Sequence, residues 1–449
     1  YPAAEQGINL LFELVPNPEN ICTKLLRRMH QKIFQTEEIT ETFCCSMTQI
    51  KLEWLSRLFF IVGHLAVKIL ILAEKFASVA KKKRQLAADK KTEDCNEEES
   101  ELNQMTGAEE DEDYEENRVR NLLEESSPSL LSAYLPLLKA VLTDVKVAKY
   151  QLTTLRSSAA AALCKIMCVS ELTCEKYLPL LFTILRDAEE SEVRGNIMIA
   201  MGDLCFRFPN LLEPYTSYIY ARLKDDCISV RKNTMMVLSH LILNDMIKVR
   251  GEVSAIAECM EDECESIRDL AGLFFTELSK RGNNPIYNLL PDTLNSLSRT
   301  IESDQKFQRI AKFLISFISA EKQINAVAEK FCSRILAASG VSNSEEECIL
   351  VSESKNIKQV RDFAFCLGQL KYSEKGIIRF TDTLFKYYRP VLVDDKVYNS
   401  FCGIIKRNKQ LFKNEQLKET VTDWQRKIEE IRDVQLENSK TFANAQGVK

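Results

Sequence analysis

Arg156, Arg194, Arg231 and Arg268 follow one another at intervals of 38, 37 and 37 residues, and each opens a segment patterned like a helix. A fixed period near forty residues marks a repeat architecture, in which each unit buries its apolar face against its neighbour. Counted from each arginine, positions +3, +6, +7 and +10 hold Ala159, Ala162, Leu163 and Ile166, then Ile197, Ala200, Met201 and Leu204. The next two sets are Thr234, Val237, Leu238 and Leu241, then Ala271, Phe274, Phe275 and Leu278. Steps of three, four and three lay these residues along one helical stripe, the face a two-helix unit has to cover. An outer helix precedes each inner one, and two outer helices open alike: Tyr134-Leu135-Pro136-Leu137-Leu138 and Tyr177-Leu178-Pro179-Leu180-Leu181.

Composition agrees with helices. Gly (13) and Pro (11) are scarce in 449 residues, which leaves too few turn formers for an all-β chain. At that length one compact core stops growing, so several domains or an extended array are expected. Between outer and inner helices Asp187, Asp225 and Asp262 precede Val193-Arg194, Val230-Arg231 and Ile267-Arg268. A turn followed by Val-Arg resembles the HEAT repeat, in which such Asp and Arg side chains bond across the turn and to the next repeat. The expected fold is an all-α HEAT-repeat α-solenoid with an acidic disordered insertion. The arginines are assigned a structural role first, with direct nucleic-acid contact as the alternative.

Four regions are expected. Residues 1–80 read as a helical HEAT-like segment with helices over Ile21–Phe34, Glu37–Lys51 and Trp54–Phe76. Residues 81–128 read as a linker, basic and then acidic: Lys81-Lys82-Lys83-Arg84 leads into Glu93–Glu125, where fifteen Asp or Glu face only Arg118 and Arg120. Such a segment cannot bury enough surface to offset its ordering entropy. Its basic cluster is either a nuclear import signal or a solvated helix end. Residues 129–338 carry the HEAT repeats. Weaker repeat copies continue at Gln308-Arg309 and Val360-Arg361, and residues 339–449 read as further helices. The last helix places Leu417, Val421, Trp424, Ile428 and Ile431 in a heptad seam, either a coiled coil or, preferably, a cap over the end of the array.

Chemistry is sparse. His30, His64 and His240 each sit in apolar helical sequence, and no phosphate-binding glycine loop occurs. No enzyme, cofactor or small-molecule substrate is expected. Cys164 and Cys168 share a helix face but have no His nearby and read as core. The Cys count is odd at 15 without a C-x-x-C pair, which points to a reducing compartment. The run Leu65–Ala73 contains Lys68 and is too short to span a bilayer, so no membrane segment is expected. The chain opens on Tyr inside a helical pattern, as a piece of a longer protein would. Candidate DNA or partner contacts are the basic pairs where helices meet loops, Arg231 with Lys232, Lys248 with Arg250, and Lys280 with Arg281. Charges one repeat apart could line up as a phosphate track, or simply be wet-face charge. Tyr287 and Asn288, in the Gly282–Asp292 segment, sit where a partner could dock or where a staple closes the turn.

Several ordered runs carry a resemblance: Phe208-Pro209-Asn210-Leu211-Leu212-Glu213-Pro214, Tyr220-Ala221-Arg222-Leu223, Leu241 to Gly251 (LILNDMIKVRG), Phe275-Thr276-Glu277-Leu278-Ser279 and Tyr287 to Asp292 (YNLLPD). With Val62-Gly63-His64-Leu65-Ala66-Val67-Lys68 and Met105-Thr106-Gly107-Ala108, they resemble the C-terminal portion of the condensin complex subunit 1 family. Tyr215 departs from that pattern where Trp is usual, and the stretch around Glu302 is short and less acidic. The resemblance implies a regulatory non-SMC subunit that binds the condensin kleisin subunit, approaches the SMC ATPase heads, and helps trap and compact chromosomal DNA or chromatin in mitosis. It implies residence in the nucleus and on chromosomes, with a cytoplasmic pool. ATP would be hydrolysed by the SMC subunits, and Asn244–Gly251 and Gly282–Asp292 become candidate partner contacts. The alternative is a HEAT adaptor of a transport or phosphatase assembly.

Overall fold

The computed structural model describes residues 1–16, 18–34, 49–91, 131–143, 153–247, 252–282, 284–339, 356–411 and 415–445, and every regular element among them is helical. They fall into two compact units, Tyr1–Ile247 and Lys248–Lys449.

In the first unit, α1 (Pro2–Leu14) and α2 (Pro18–Phe34) pack on α3 (Gln49–Lys91), a helix of 43 residues. Gly63 is its sole glycine and it contains no proline, so nothing in its interior stops it. A Cβ at Gly63 would lie 2.8 Å from Ala162 Cα, so glycine here permits a close crossing with α5 (Thr153–Met167). Leu55, Leu58, Phe59, Val62 and Ala66 are sealed in that crossing region. The stretch Leu52–Phe76 is long and apolar enough to cross a membrane, contrary to the reading from Leu65–Ala73 alone; but 61% of its apolar window is buried inside the protein, as suits a core helix.

Two boundaries differ from expectation. Of the segment Glu37–Lys51, residues 37–48 lie outside the described residues, and Gln49 to Lys51 open α3 rather than close a separate helix. Nor does α3 end at Phe76 or residue 80: it continues through the basic cluster to Lys91. Ala, Lys, Gln and Leu favour the helix, and extending a helix already anchored needs no new nucleus. The acidic run lies outside the described residues.

The repeats follow as pairs. Outer α4 (Leu135–Thr143) precedes α5, and outer α6 (Glu171–Asp187), capped by Ser170 Oγ accepting from Thr173 N–H, precedes inner α7 (Ser191–Arg207). The next outer layer is broken into α8 (Pro209–Leu212), α9 (Thr216–Ala221) and single 3-10 turns, with Pro209 and Pro214 each opening a turn, before inner α10 (Ile228–Leu243). The α10 end is closed by Met246 N–H donating to Leu241 O and Asp245 N–H to Ile242 O, with Asp245 left-handed at φ 58°. Of the stripe positions in this unit, Ala200 and Val237 are half-buried and the others buried.

In the second unit, α11 (Val253–Glu258) precedes inner α12 (Glu265–Ser279), and α13 (Ile286–Thr300) precedes α14 (Asp304–Ser316). Pro291 is buried inside α13; its fixed φ suits a helix, at the loss of one backbone donor. Then come α15 (Glu321–Ser339), α16 (Ile357–Gln369), α17 (Glu374–Asp382), α18 (Phe385–Tyr388), α19 (Asp395–Leu411) and α20 (Glu415–Ala445). The seam of α20 docks on α17 and α19, with Leu417, Val421, Trp424 and Ile428 buried. Trp424 Nε1–H donates to Tyr388 Oη at 3.0 Å, and Tyr388 Oη–H to Phe380 O at 3.1 Å. The heptad pattern is therefore spent within the chain, against α17 and α19.

Candidate partner and nucleic-acid surfaces

The turns between outer and inner helices are held by charge. Asp225 accepts from Arg194 at two oxygens, 2.9 and 2.8 Å, and from Cys227 N–H at 3.0 Å, while Arg194 Nη1 also donates to Ala188 O and Glu189 O. Arg194 thus joins its own turn to the next repeat. Burial pushes the Asp225 carboxyl up, but the Arg194 and Cys227 hydrogen bonds and the nearby Arg222 outweigh it and hold the group below its usual value. Arg156 pairs in the same sense with Glu190 at 2.5 Å, and in the second unit Arg361 pairs with Asp394 at 2.7 Å. Asp187, expected in the Asp225 role, instead bonds its neighbour Arg186 in solvent; Glu190, closer to the inner helix, reaches Arg156. The sequence signal for Glu190 was one acid among several in Asp187 to Glu192, which spacing alone could not rank.

Cys227 occupies the N-cap position of α10, with Sγ 3.1 Å from Ser229 Oγ; that hydrogen bond, with further ones, outweighs slight burial and lowers the thiol to about 7. Cys164 is the opposite case, its thiol pushed well up by burial in the core. Among the described residues no group of three His, Cys, Asp or Glu could hold a metal ion. His64 is half of a structural pair, Nε2 to Asn9 Oδ1 at 3.1 Å, with burial lowering its pKa. A cavity of about 570 Å³ beside Tyr1, Met29, Trp54 and Phe60 is mainly apolar.

The candidate residues separate by position in the repeat. Arg231 and Lys232 lie in the first turns of inner helix α10; Arg231 Nη1 donates to Asp225 O at 2.9 Å and Asp226 O at 3.3 Å, a turn-closing role, and Lys232 is exposed. Lys280 and Arg281 follow the other end of an inner helix, α12, and Lys280 reaches Glu277 at 2.7 Å in solvent. Arg231 and Lys232 thus sit at the start of their inner helix, and Lys280 and Arg281 just past the end of theirs. Lys248 and Arg250 lie outside the described residues. The loop after Arg281 is built for rigidity: Gly282 and Asn284 are left-handed at φ 37° and 51°, Asn284 Nδ2–H donates to Phe317 O at 2.8 Å, and its Oδ1 accepts from Ile286 N–H. Tyr287 is half-buried in the first turn of α13 and Asn288 is exposed beside it, so the structure brings Lys280, Arg281, Tyr287 and Asn288 to one loop.

Residues 192–368 match the family model described as non-SMC mitotic condensation complex subunit 1. The Arabidopsis thaliana condensin-1 complex subunit CAP-D2 is 34% identical over 468 residues, covering 99% of this chain and 32% of that protein. The chain belongs to the condensin subunit 1 family. A Xenopus laevis condensin complex subunit 1 is 33% identical over 97% of this chain and 31% of its own length. The chain thus spans about a third of the length of its relatives in the condensin subunit 1 family. Among solved structures, a designed armadillo repeat protein in complex with a (KR)4 peptide is 17% identical, with a TM-score of 0.29, over 45% of this chain and 87% of that one.

Proposed function

We propose that the chain serves as the C-terminal part of a regulatory, non-catalytic condensin subunit, a HEAT scaffold that binds the kleisin subunit and the SMC heads and helps load and compact chromosomal DNA in mitosis. The observation that carries this reading is similarity to condensin subunits 1 along almost the whole chain. The repeat architecture supports it: rigid turns such as Arg194–Asp225 fix each loop relative to the next, which a multi-partner scaffold requires. Loops at the Lys280–Arg281 end, with Lys248 and Arg250 one repeat earlier, are the assigned docking surface, with Tyr287 and Asn288 beside it. Nuclear and chromosomal residence, with a cytoplasmic pool, follows from the same reading. The test is capture of kleisin and SMC-head subunits by this chain, repeated with Lys248, Arg250, Lys280 and Arg281 reversed to Glu. Capture by the parent chain and loss in the variant, with helicity intact, support both role and surface. Capture by both moves the docking surface elsewhere. No capture by either, with binding instead to transport or phosphatase partners, overturns the condensin role.

A further inference from the structure

Helix α3 ceases to be core at Ala73, which is 2% exposed. Glu74 is half-buried and holds Arg207 at 3.0 Å; beyond it every side chain described, Lys75, Phe76, Ser78, Val79, Lys81 and Lys82, is exposed. The helix nevertheless continues to Lys91. From Lys75 that is about 25 Å of helix at 1.5 Å per residue. The stretch carries Lys75, Lys81, Lys82, Lys83, Arg84, Lys90 and Lys91 against Asp89 alone.

The distribution of that charge selects a ligand. A helix that packs on protein keeps one apolar stripe, and a helix that lies on a membrane keeps one broad apolar face. At 100° per residue the seven basic positions fall on all sides of the axis, which leaves room for neither. The partner must therefore be densely anionic and able to approach a helix from more than one side. A DNA duplex carries one negative charge per ~1.7 Å of its axis, about twice what an extended, wholly acidic polypeptide can present at ~3.3 Å per residue. Its major groove, about 12 Å wide, admits a helix between two phosphate walls. Beyond Phe76 the stretch has no aromatic residue for base stacking, and Gln85 is its one amide side chain.

We infer that residues 75–91 form a projecting basic arm that binds duplex DNA through its phosphates, without regard to sequence. The inference rests on the chromosomal role proposed above and assigns it a site. Like charges crowd the arm and weaken its helix. Phosphates relieve that repulsion, so DNA slows hydrogen exchange along the arm.

The experiment compares the chain with its Lys81→Glu, Lys82→Glu, Lys83→Glu, Arg84→Glu variant, using a short random-sequence duplex over a salt series. Both are also made without Glu93 to Glu125, so that the neighbouring acidic run cannot mask the arm. The expected result is a fall in affinity of at least about tenfold at low salt, and a salt slope shallower by about 0.9 for each phosphate that the arm no longer neutralises. Replacing Lys81, Lys82 and Lys83 with Arg keeps the slope. Equal affinities and slopes for parent and charge-reversed variant in both backgrounds overturn the inference and point to an acidic protein ligand. Kleisin capture, measured alongside, reports separately on the condensin role: its absence in the parent chain sinks that role, and the arm stands or falls by the salt slope alone.

Discussion

Two carboxylates, both removed from water, act on stability with opposite signs. Asp225 has a side chain 2% exposed and is locked to Arg194, so Asp225→Ala leaves a guanidinium at a half-closed turn and is expected to cost about 3 kcal/mol. Asp187→Ala, which touches only Arg186 in solvent, is expected to leave the melting temperature unchanged; equal losses in the two variants would refute the latch. Because the Asp225 carboxyl is held below its usual value, its contribution is complete above the ordinary carboxylate range near pH 4 and is lost as pH falls through the folded-state value. Asp362 runs the other way. It is 5% exposed, and burial raises it to about 6 despite Ser298 Oγ–H donating at 2.6 Å and nearby Lys358. Its charge therefore costs stability above pH 6, and that cost fades as the pH falls from 6 towards 4. Asp362→Asn, which can still accept from Ser298, should gain up to about 3 kcal/mol at neutral pH, from a shift of about two units. Urea melts at pH 7.5 and 4.5 check this: an equal gain at both pH values would mean that the Asp362 charge is not the cause.

For the elements, glycine separates packing from propensity. In α3, Gly63→Ala gains about 1 kcal/mol of helix propensity but drives a methyl into Ala162 Cα, a backbone atom that cannot swing aside. Overpacking of that kind costs about 1–3 kcal/mol, so net destabilisation is expected. In α1, a Cβ on Gly7 meets nothing within 4 Å, so Gly7→Ala should stabilise by about 0.5–1 kcal/mol. Thermal melts of the two variants should shift in opposite directions. The helices themselves were legible because stripe residues such as Leu163, Leu204 and Phe274 obey a 3.6-residue period that burial then respects. The end of α3 was not legible, because a charge run reads alike whether it is a loop or the unpacked extension of an anchored helix. Pro291 shows tertiary packing overriding a local rule: proline disfavours a helix interior, yet it is buried inside α13.

Across the molecule, stability in such an array is a sum of repeat terms and neighbour terms. Within the first unit, loosening the Arg194–Asp225 latch should speed hydrogen exchange in both α7 and α10, which pack together, before it speeds exchange in α3. Uniform acceleration across the unit would instead mean that the repeats melt as one body. The candidate surfaces were only half legible. The period could name the loop residues Lys280, Arg281, Tyr287 and Asn288 but not say that Arg231 is committed to the carbonyls of its own turn, because a free and a bonded arginine have the same letter.

The thiol at the head of α10 turns the latch into something that can be timed. With Cys227 near 7 and reachable by solvent, a large share is thiolate at neutral pH, whereas Cys164, Cys205, Cys332 and Cys366 are sealed in the core and held protonated. Its amide hangs on the same Asp225 oxygen that Arg194 grips. An alkylating dye added to the unmodified chain should therefore mark this position ahead of those four core thiols, and its rate should change whenever a partner or a substitution opens or tightens the seam between two repeats.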